Sequence, residues 1–275
     1  MQDITGKNSD SLKEKTLYLL DMDGTIYNEN EIFEGTLDFL SEIRKRGGEY
    51  IFITNNSSKS VSDYVEKVRA MGIQADQENF YTSSQATAMY IKENYPGQRV
   101  YCMGTRSLVE ELRQEGIDVV TEVDDKAAVV LIGFDTENTS EKIRNTCIML
   151  GKDVAYLATN PDLVCPVSFG YIPDCGSMSI MLKNATGKEP FFIGKPEPIM
   201  VDCVLKKYKK KPVEAVIVGD RLYTDIKTGA RAGVDTICVL SGEAAMEDIR
   251  QGEVKPDYIF QSVKEIYEGL TEDER

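Results

Sequence analysis

The sequence predicts an α/β protein built on a doubly wound parallel sheet. Short apolar runs alternate along the chain with amphipathic stretches, which is the pattern of a parallel sheet covered by helices. Polar clusters follow several of the apolar runs directly, and this is where open parallel sheets bind their ligands.

Five apolar runs are predicted to form the strands of the main sheet: residues 17–20, 50–53, 191–193, 215–218 and 236–240. Every run except the last leads into a polar cluster, and these clusters contain Asp21 and Asp23, Thr54 and Asn55, Lys195, and Asp220. Between the strands lie stripes spaced for one helix face, such as Val61, Tyr64, Val65, Val68 and Met71. We expect the four polar clusters to converge on one crevice.

The middle of the chain repeats the alternation by itself. Residues 100–103, 128–132 and 154–158 are predicted strands, and Ile143, Cys147 and Leu150 form a helix stripe between the last two. We therefore predict a catalytic core of residues 1–81 and 187–275, with residues 82–186 inserted as a lid. The alternative that the sequence leaves open is one long sheet containing all the strands.

The charge balance argues against nucleic acid and membrane partners. Asp and Glu number 46 against 32 Lys and Arg, which gives a net charge of −14. A basic run at residues 206–211 is typical of a solvated helix end. Residues 1–15 lack the apolar stretch of a secretory signal, and the longest apolar run, residues 127–134, is too short to span a bilayer. The sequence thus predicts a cytoplasmic protein.

The chain contains no histidine. This excludes a Ser-His-Asp or Cys-His nucleophile and any histidine-ligated zinc or iron site. The chemistry must therefore use carboxylates, hydroxyls and lysine, with or without a hard metal ion.

Two acidic pairs follow predicted strands: Asp21 with Asp23, and Asp220 with Asp225. If the four carboxylates share one crevice, Lys195 is the one cation that the sequence places against them. Mg²⁺ prefers carboxylate and carbonyl oxygens. Together with Lys195 it would bring the formal charge from −4 to −1, and to zero if Asp23 is protonated, so that a phosphate dianion could enter. The pattern therefore favours phosphoryl transfer.

Four motifs resemble those of the haloacid dehalogenase (HAD) superfamily of phosphatases in order and position. They are DMDGT at residues 21–25, Thr54 within ITNN, Lys195 within IGKP, and Asp220 and Asp225 within GDRLYTDI. The insertion resembles a C2-type cap, and the stretches TNNSS, ATNPD and GKP are similar to the type IIA branch of NagD-like or nitrophenylphosphatase-like enzymes. The resemblance implies a Rossmann-like core and a phosphomonoesterase acting on a small-molecule phosphate ester.

The resemblance also implies a role for each motif residue. Asp21 would be the nucleophile that forms an aspartyl phosphate, and Asp23 would act first as a general acid and then as a base. Thr54 would hold the phosphate, together with backbone amides around Gly24 and Asn55 and with the Lys195 cation. Mg²⁺ would be held by Asp21, the main-chain carbonyl of Asp23, and Asp220, with Asp225 close by or acting through water.

In the inserted segment, the candidates for substrate contact are Asn160, Asp162, Gly176 and Ser177. Ordinary turn chemistry explains the same residue types. The caps of this branch often take part in dimers, so a homodimer is a further expectation. Tyr223 departs from the branch, because relatives often carry an acidic residue there, and this puts any polar contact at that position in doubt.

Two other functions fit the same acidic residues. A phospho-accepting signalling module also gathers carboxylates, a Thr and a Lys around Mg²⁺, but an Asp two residues after the nucleophile favours turnover. A phosphoryl mutase or transferase would differ in the acceptor that reaches the intermediate. The sequence does not identify the substrate among sugar phosphates, glycerol phosphate, nucleoside monophosphates and pyridoxal phosphate.

Overall fold

The computed structural model describes residues 1–167 and 169–272. The strands are β1 Leu17–Leu20, β2 Tyr27–Asn28, β3 Glu31–Ile32, β4 Glu49–Thr54, β5 Phe80–Thr82, β6 Arg99–Met103, β7 Val119–Val120, β8 Ala127–Ile132, β9 Ala155–Ala158, β10 Val164–Val167, β11 Gly170–Pro173, β12 Phe191–Phe192, β13 Ala215–Gly219, β14 Asp235–Val239 and β15 Tyr258–Phe260. The helices are α1 Thr36–Lys45, α2 Val61–Ala70, α3 Ser83–Asn94, α4 Arg106–Gln114, α5 Ser140–Leu150, α6 Cys175–Thr186, α7 Ile199–Tyr208, α8 Lys227–Ala232, α9 Met246–Gln251 and α10 Val263–Leu270.

The described chain divides into two compact units. The first contains residues 1–54, 64–81 and 195–275, and the second contains residues 55–63 and 82–194. The second unit therefore takes in residues 55–63 and 187–194, which the sequence-based division assigned to the core. The functional division into a core and a cap stays a prediction.

The first unit is built on a six-stranded sheet with the order β15-β14-β13-β1-β4-β5. β1 lies between β4 and β13, and it pairs in parallel with both. All four β1 residues are buried, which is typical of a central strand covered on both faces. The next two strands of this sheet along the chain, β4 and β5, lie on one side of β1, and the last three, β13, β14 and β15, lie on the other side. The predicted α/β doubly wound fold is therefore confirmed.

The second unit has its own five-stranded sheet, with the order β12-β9-β8-β6-β7. Alternate residues of β6 and β8 point into two different cores: Tyr101 and Val130 into one, Cys102 and Leu131 into the other. The two large sheets are separate, so the alternative of one long sheet is wrong.

One strand assignment is also wrong. Residues 191–193 were expected in the main sheet, but β12 pairs with β9 in the sheet of the second unit. Lys195 therefore does not follow a strand of the main sheet. Among the described residues, no helix has the length and hydropathy needed to cross a bilayer.

The packing of α8 against the main sheet generates a stability prediction for Gly229. A Cβ at this buried glycine would lie 2.4 Å from Ile217 Cγ2 and 2.5 Å from Thr236 Cγ2. Gly229→Ala should therefore destabilise the protein by about 1–3 kcal/mol through overpacking, although Gly→Ala in an exposed helix stabilises by up to about 1 kcal/mol. Urea unfolding measures this change in the free energy of unfolding.

The neighbouring exposed residue provides the control. Ala230 lies in the same helix, and Ala230→Gly should cost about 1 kcal/mol from helix propensity alone. A Gly229→Ala protein at least as stable as the wild type would show that α8 does not pack against the sheet this closely.

Candidate active site

The Asp21–Thr25 turn begins where β1 ends. The Asp21 N–H donates to Val218 O at 2.9 Å, and the Gly24 N–H donates to Tyr27 O at 2.9 Å. Gly24 has φ +88°, and a Cβ at this position would lie 2.3 Å from Asp220 Oδ2. Only glycine fits there, because both the left-handed backbone and the close approach to Asp220 exclude a side chain.

Lys195 joins two of the carboxylates. Its Nζ lies 2.6 Å from Asp21 Oδ1 and 2.6 Å from Asp225 Oδ1, and it also donates to Ile53 O at 3.3 Å. The Lys195 side chain is 3% exposed and that of Asp225 is 0% exposed, so this ion pair is shielded from water. The structure thus brings the ends of β1 and β4 and residue 195 together, as predicted.

Asp220 and Asp225 follow β13, and Asp225 lies in a π-helical turn at Leu222–Ile226. The Arg221 N–H donates to Asp225 Oδ2 at 3.2 Å. The Glu243 N–H donates to Asp220 Oδ2 at 2.8 Å. Fixed backbone donors therefore orient both carboxylates.

Burial and the neighbouring charges raise the pKa values of three groups in this cluster. Burial, together with Asp225 and Asp220, raises the pKa of Asp21 to about 8, although Lys195 acts in the opposite direction. Burial and Asp225 raise the pKa of Asp220 to about 6. The pKa of Lys195 is also raised, because Asp21 and Asp225 outweigh the effect of its burial. The charge of one lysine therefore does not offset the burial and mutual repulsion of the carboxylates.

The oxygen donors of the cluster and their total charge show whether a metal ion would fit. Asp21, Asp220 and Asp225 each offer an oxygen, and these oxygens lie within 4.8 Å of one another. Three carboxylates and Lys195 carry a formal charge of −2, which one divalent cation would neutralise. Hard oxygen donors in this number suit Mg²⁺. The residues present therefore fit a divalent metal ion.

Asp23 has a different environment. Its side chain is 55% exposed, and its carboxylate is not among the described carboxylates whose oxygens converge. Lys67 Nζ lies 3.9 Å from Asp23 Oδ1 and 3.9 Å from the centre of the Tyr27 ring. A carboxyl group that faces solvent can reach an ester oxygen or a water molecule. The predicted contact of its main-chain carbonyl with the metal stays a prediction.

The expected charge count needs correction. From the sequence alone, Lys195 was the one cation expected against the carboxylates, but Lys67 also lies beside Asp23. Arg221 is a further cation: the charges of Asp21 and Asp220 raise its pKa although its burial acts in the opposite direction. The signal for Arg221 was its place directly after Asp220. Nothing in the sequence around Lys67 indicated its position.

The expectation that β14 lacks a polar cluster was also wrong. Residues 241–244 follow β14, and Ser241 Oγ donates to Gly24 O at 2.7 Å. Glu243 Oε2 accepts a hydrogen bond from the Tyr223 hydroxyl at 3.2 Å, so Tyr223 does make a polar contact although it is not acidic. The Ser-Gly-Glu sequence after a strand was the signal that could have been used.

Thr54 ends β4 in the first unit and is 9% exposed. Asn55 belongs to the second unit, where its carbonyl accepts from Asn160 Nδ2 at 2.9 Å and from Ser83 Oγ at 2.6 Å. Asn55 Nδ2 donates to Asp162 Oδ2 at 3.0 Å. The structure thus brings Asn55, Asn160 and Asp162 together within the second unit.

Gly176 and Ser177 are engaged in contacts at the start of α6. The Gly176 N–H donates to Asp162 O at 2.8 Å, and a Cβ at Gly176 would lie 2.1 Å from Pro161 O. Ser177 Oγ donates to Leu163 O at 2.5 Å. These contacts support the local structure, and a substrate role for either residue stays a prediction.

Comparisons with known proteins agree with these features. A family model described as haloacid dehalogenase-like hydrolase matches residues 18–118, and a HAD-hydrolase-like model matches residues 192–266. An acid sugar phosphatase of Staphylococcus aureus is 35% identical over 259 residues, which are 94% of this chain and 99% of the relative.

Solved structures are similar over the same length. The 4-nitrophenylphosphatase of Thermotoga maritima has a TM-score of 0.90 and 36% identity, with 94% of this chain and 99% of that chain covered. A glycerol phosphate phosphatase of Mycobacterium tuberculosis in complex with magnesium has a TM-score of 0.87 and 28% identity, with 96% and 78% covered.

The raised pKa of Asp21 generates a prediction for the metal-free protein. Because the pKa in the folded state, about 8, lies above the ordinary value of 3.8, stability present below about pH 4 should be lost as the pH rises towards 8. Asp21→Asn removes the free-energy cost of ionising the Asp21 carboxyl group in the folded protein. In EDTA at pH 9 the variant should unfold at a higher temperature, by about 2–4 °C for each kcal/mol regained.

Thermal unfolding from pH 5 to pH 9 measures this difference, which should shrink as the pH falls. The exposed Asp38 in α1 serves as the control, since Asp38→Asn should shift the unfolding temperature equally at every pH. An Asp21→Asn protein that is no more stable than the wild type at pH 9 would contradict the electrostatic account.

Proposed function

Because this chain belongs to the NagD-like, or nitrophenylphosphatase-like, branch of the haloacid dehalogenase hydrolases and is a phosphomonoesterase, we propose that it hydrolyses small phosphate esters with Mg²⁺ through an aspartyl phosphate on Asp21. The observation that carries this proposal is the position of the buried Lys195. Its Nζ lies 2.6 Å from Asp21 Oδ1 and 2.6 Å from Asp225 Oδ1, and these are two of the three carboxylates that converge.

In the first step, an Asp21 carboxylate oxygen forms a bond to phosphorus while the ester P–O bond breaks. Asp21 Oδ1 is bonded to Lys195, which makes Oδ2 the proposed nucleophile. Asp23 gives its proton to the leaving alkoxide oxygen, and its exposed position suits this role. The products are an alcohol and the phosphorylated Asp21.

In the second step, the Asp23 carboxylate takes a proton from a water molecule whose oxygen attacks phosphorus. The bond between phosphorus and Asp21 breaks, and inorganic phosphate leaves. Lys195 holds Asp21 and stabilises negative charge that develops on the transferring group. Thr54 and the backbone amides around Gly24 and Asn55 are proposed to hold the phosphate oxygens.

The proposed metal ligands are Asp21 and Asp220, with Asp225 beside them. When bound, Mg²⁺ would neutralise the formal charge of −2 so that a phosphate dianion is no longer repelled. Magnesium is supported by the oxygen donors and by the structural relative that is described in complex with magnesium.

The relatives suggest the substrate class. One is named an acid sugar phosphatase and another a glycerol phosphate phosphatase. We therefore propose that phosphate esters of sugars or small polyols are the substrates, and that the second unit selects among them. Roles for Asn160, Asp162, Gly176 and Ser177 in this selection are part of the proposal.

The other expectations on partners also remain predictions. They are a homodimer, a cytoplasmic location, and the lack of nucleic acid and membrane partners. Phe169 and Tyr171 in the second unit are 81% and 71% exposed, which is compatible with a contact between copies.

A panel of phosphate esters tests the reaction and the substrate class. Sugar phosphates, glycerol phosphate, nucleoside monophosphates, pyridoxal phosphate and p-nitrophenyl phosphate are assayed for phosphate release with Mg²⁺, with EDTA, and after Mg²⁺ is restored. We expect EDTA to abolish turnover reversibly, and kcat/KM to be highest for a sugar or polyol phosphate. Full activity in EDTA would contradict the metal requirement.

A second prediction concerns Lys195. Lys195→Met leaves Asp21 and Asp225 without their shared cation, so kcat/KM should fall by roughly 10²–10³, as for one lost preorganised charge contact. Lys15 is the matched control, because it is also a buried lysine of the first unit and is paired with Asp235 at 2.8 Å, outside the acidic cluster.

Lys15→Met should lower stability and leave kcat/KM within a few-fold of the wild type. A tenfold or smaller loss in Lys195→Met, measured on folded protein, would mean that Lys195 does not act on the transferring group.

A further inference from the structure

The segment of residues 241–244, which we call the β14 loop, closes over Asp220. The Glu243 N–H donates to Asp220 Oδ2 at 2.8 Å, and the Ala244 N–H donates to Asp220 O at 3.0 Å. A Cβ at Gly242 would lie 2.0 Å from Asp220 Oδ2, so the loop backbone contacts this carboxylate directly. The orientation of Asp220 therefore depends on the position of the β14 loop.

The Glu243 side chain ties this loop back to the segment that carries Asp220. Its Oε2 lies 3.0 Å from Arg221 Nε and accepts from the Tyr223 hydroxyl at 3.2 Å. The Arg221 backbone N–H in turn donates to Asp225 Oδ2 at 3.2 Å. One carboxylate thus connects the β14 loop to two residues that lie between Asp220 and Asp225 in the sequence.

The contact between Arg221 and Glu243 is an ion pair by distance, and Arg221 Nε makes no hydrogen bond to any described residue. The Arg221 side chain is 24% exposed and that of Glu243 is 50% exposed, and Tyr223 adds a neutral hydrogen bond to the same oxygen. Fully exposed pairs contribute little to stability, but here the attraction of the Arg221 charge is added to the Tyr223 hydrogen bond on the same Glu243 oxygen.

We propose that Glu243 is a positioning residue for Asp220 and sets the affinity of the site for its divalent cation. Its side chain holds the β14 loop, the loop presents the Glu243 N–H to Asp220 Oδ2, and this donor keeps the carboxylate from rotating. A carboxylate held through one oxygen presents the other in a constant direction, which is how groups outside the metal ligands tune binding. This inference rests on the proposed function, in which Asp220 is a metal ligand.

Isothermal titration of the full-length protein with Mg²⁺ alone tests the proposal without any substrate. Glu243→Ala should weaken Mg²⁺ binding by about 10-fold or more, within the usual range for lost outer contacts of a metal site. Tyr223→Phe removes one of the two contacts and should weaken binding less. In turnover assays, the Mg²⁺ concentration that gives half-maximal rate should rise by the same factor as the Kd.

Two further variants separate positioning from general stability. Glu34 of the first unit forms an exposed ion pair with Lys264 at 2.7 Å, away from the acidic cluster, and Glu34→Ala should leave the Mg²⁺ Kd within twofold of the wild type. Glu243→Gln keeps an oxygen that accepts from Tyr223 and should recover most of the affinity that Glu243→Ala loses. It also serves as the test if Glu243→Ala does not fold.

The outcomes distinguish the two proposals. If folded Glu243→Ala binds Mg²⁺ with the same Kd as the wild type, the role of Glu243 is overturned and the proposed function stands. The same holds if Glu243→Gln loses as much Mg²⁺ affinity as Glu243→Ala does. A wild-type protein that does not bind Mg²⁺ would overturn the proposed function and this inference with it.

Discussion

A buried ammonium group between one buried and one partly buried carboxylate is the interaction on which the site depends. Lys195 bonds Asp21 and Asp225 at 2.6 Å each, in surroundings where an unpaired charge would be very costly. Even with this cation, burial and the neighbouring carboxylates raise the pKa of Asp21 to about 8 and that of Asp220 to about 6, so ionising both groups in the metal-free site is costly. A divalent cation would lower this cost, and the neutralised site would then no longer repel a phosphate ester.

The backbone brings these charges together by close approach. β1 lies between β4 and β13, so the carboxyl ends of neighbouring parallel strands deliver Asp21, Thr54 and Asp220 to one edge of the sheet. Glycines then allow the chain to pass within contact distance of the carboxylates: a Cβ at Gly24 or Gly242 would overlap Asp220, and one at Gly219 would lie 2.3 Å from Asp225 Cβ. The positions of the charges are thus set mainly by the sheet and by these glycines.

Local sequence patterns predicted the elements well and the long-range pairings less well. Leu17–Leu20 forms a strand with the predicted ends, because four apolar residues before an acidic turn suit a central buried strand. The run at residues 191–193 had the same appearance, but its sheet is decided by pairing with β9, and no local pattern encodes this partner. The motif residues could be found from the sequence because their chemistry is unusual. Lys67 could not, because a lysine on a helix is ordinary until the fold places it beside Asp23. For Glu243, the Ser-Gly-Glu sequence after β14 indicates a polar loop, but only the fold shows that this loop lies beside Asp220.

The central claim is that Asp21 carries the phosphoryl group during turnover, and trapping that intermediate tests it most directly. The enzyme is mixed with p-nitrophenyl phosphate and Mg²⁺ and quenched in acid within one turnover. Borohydride then reduces any aspartyl phosphate to homoserine, which peptide mass spectrometry locates. The account predicts homoserine at position 21, and none when EDTA replaces Mg²⁺ or in Asp21→Asn. Rapid turnover with an unmodified Asp21, or with the modification at another carboxylate, would contradict it.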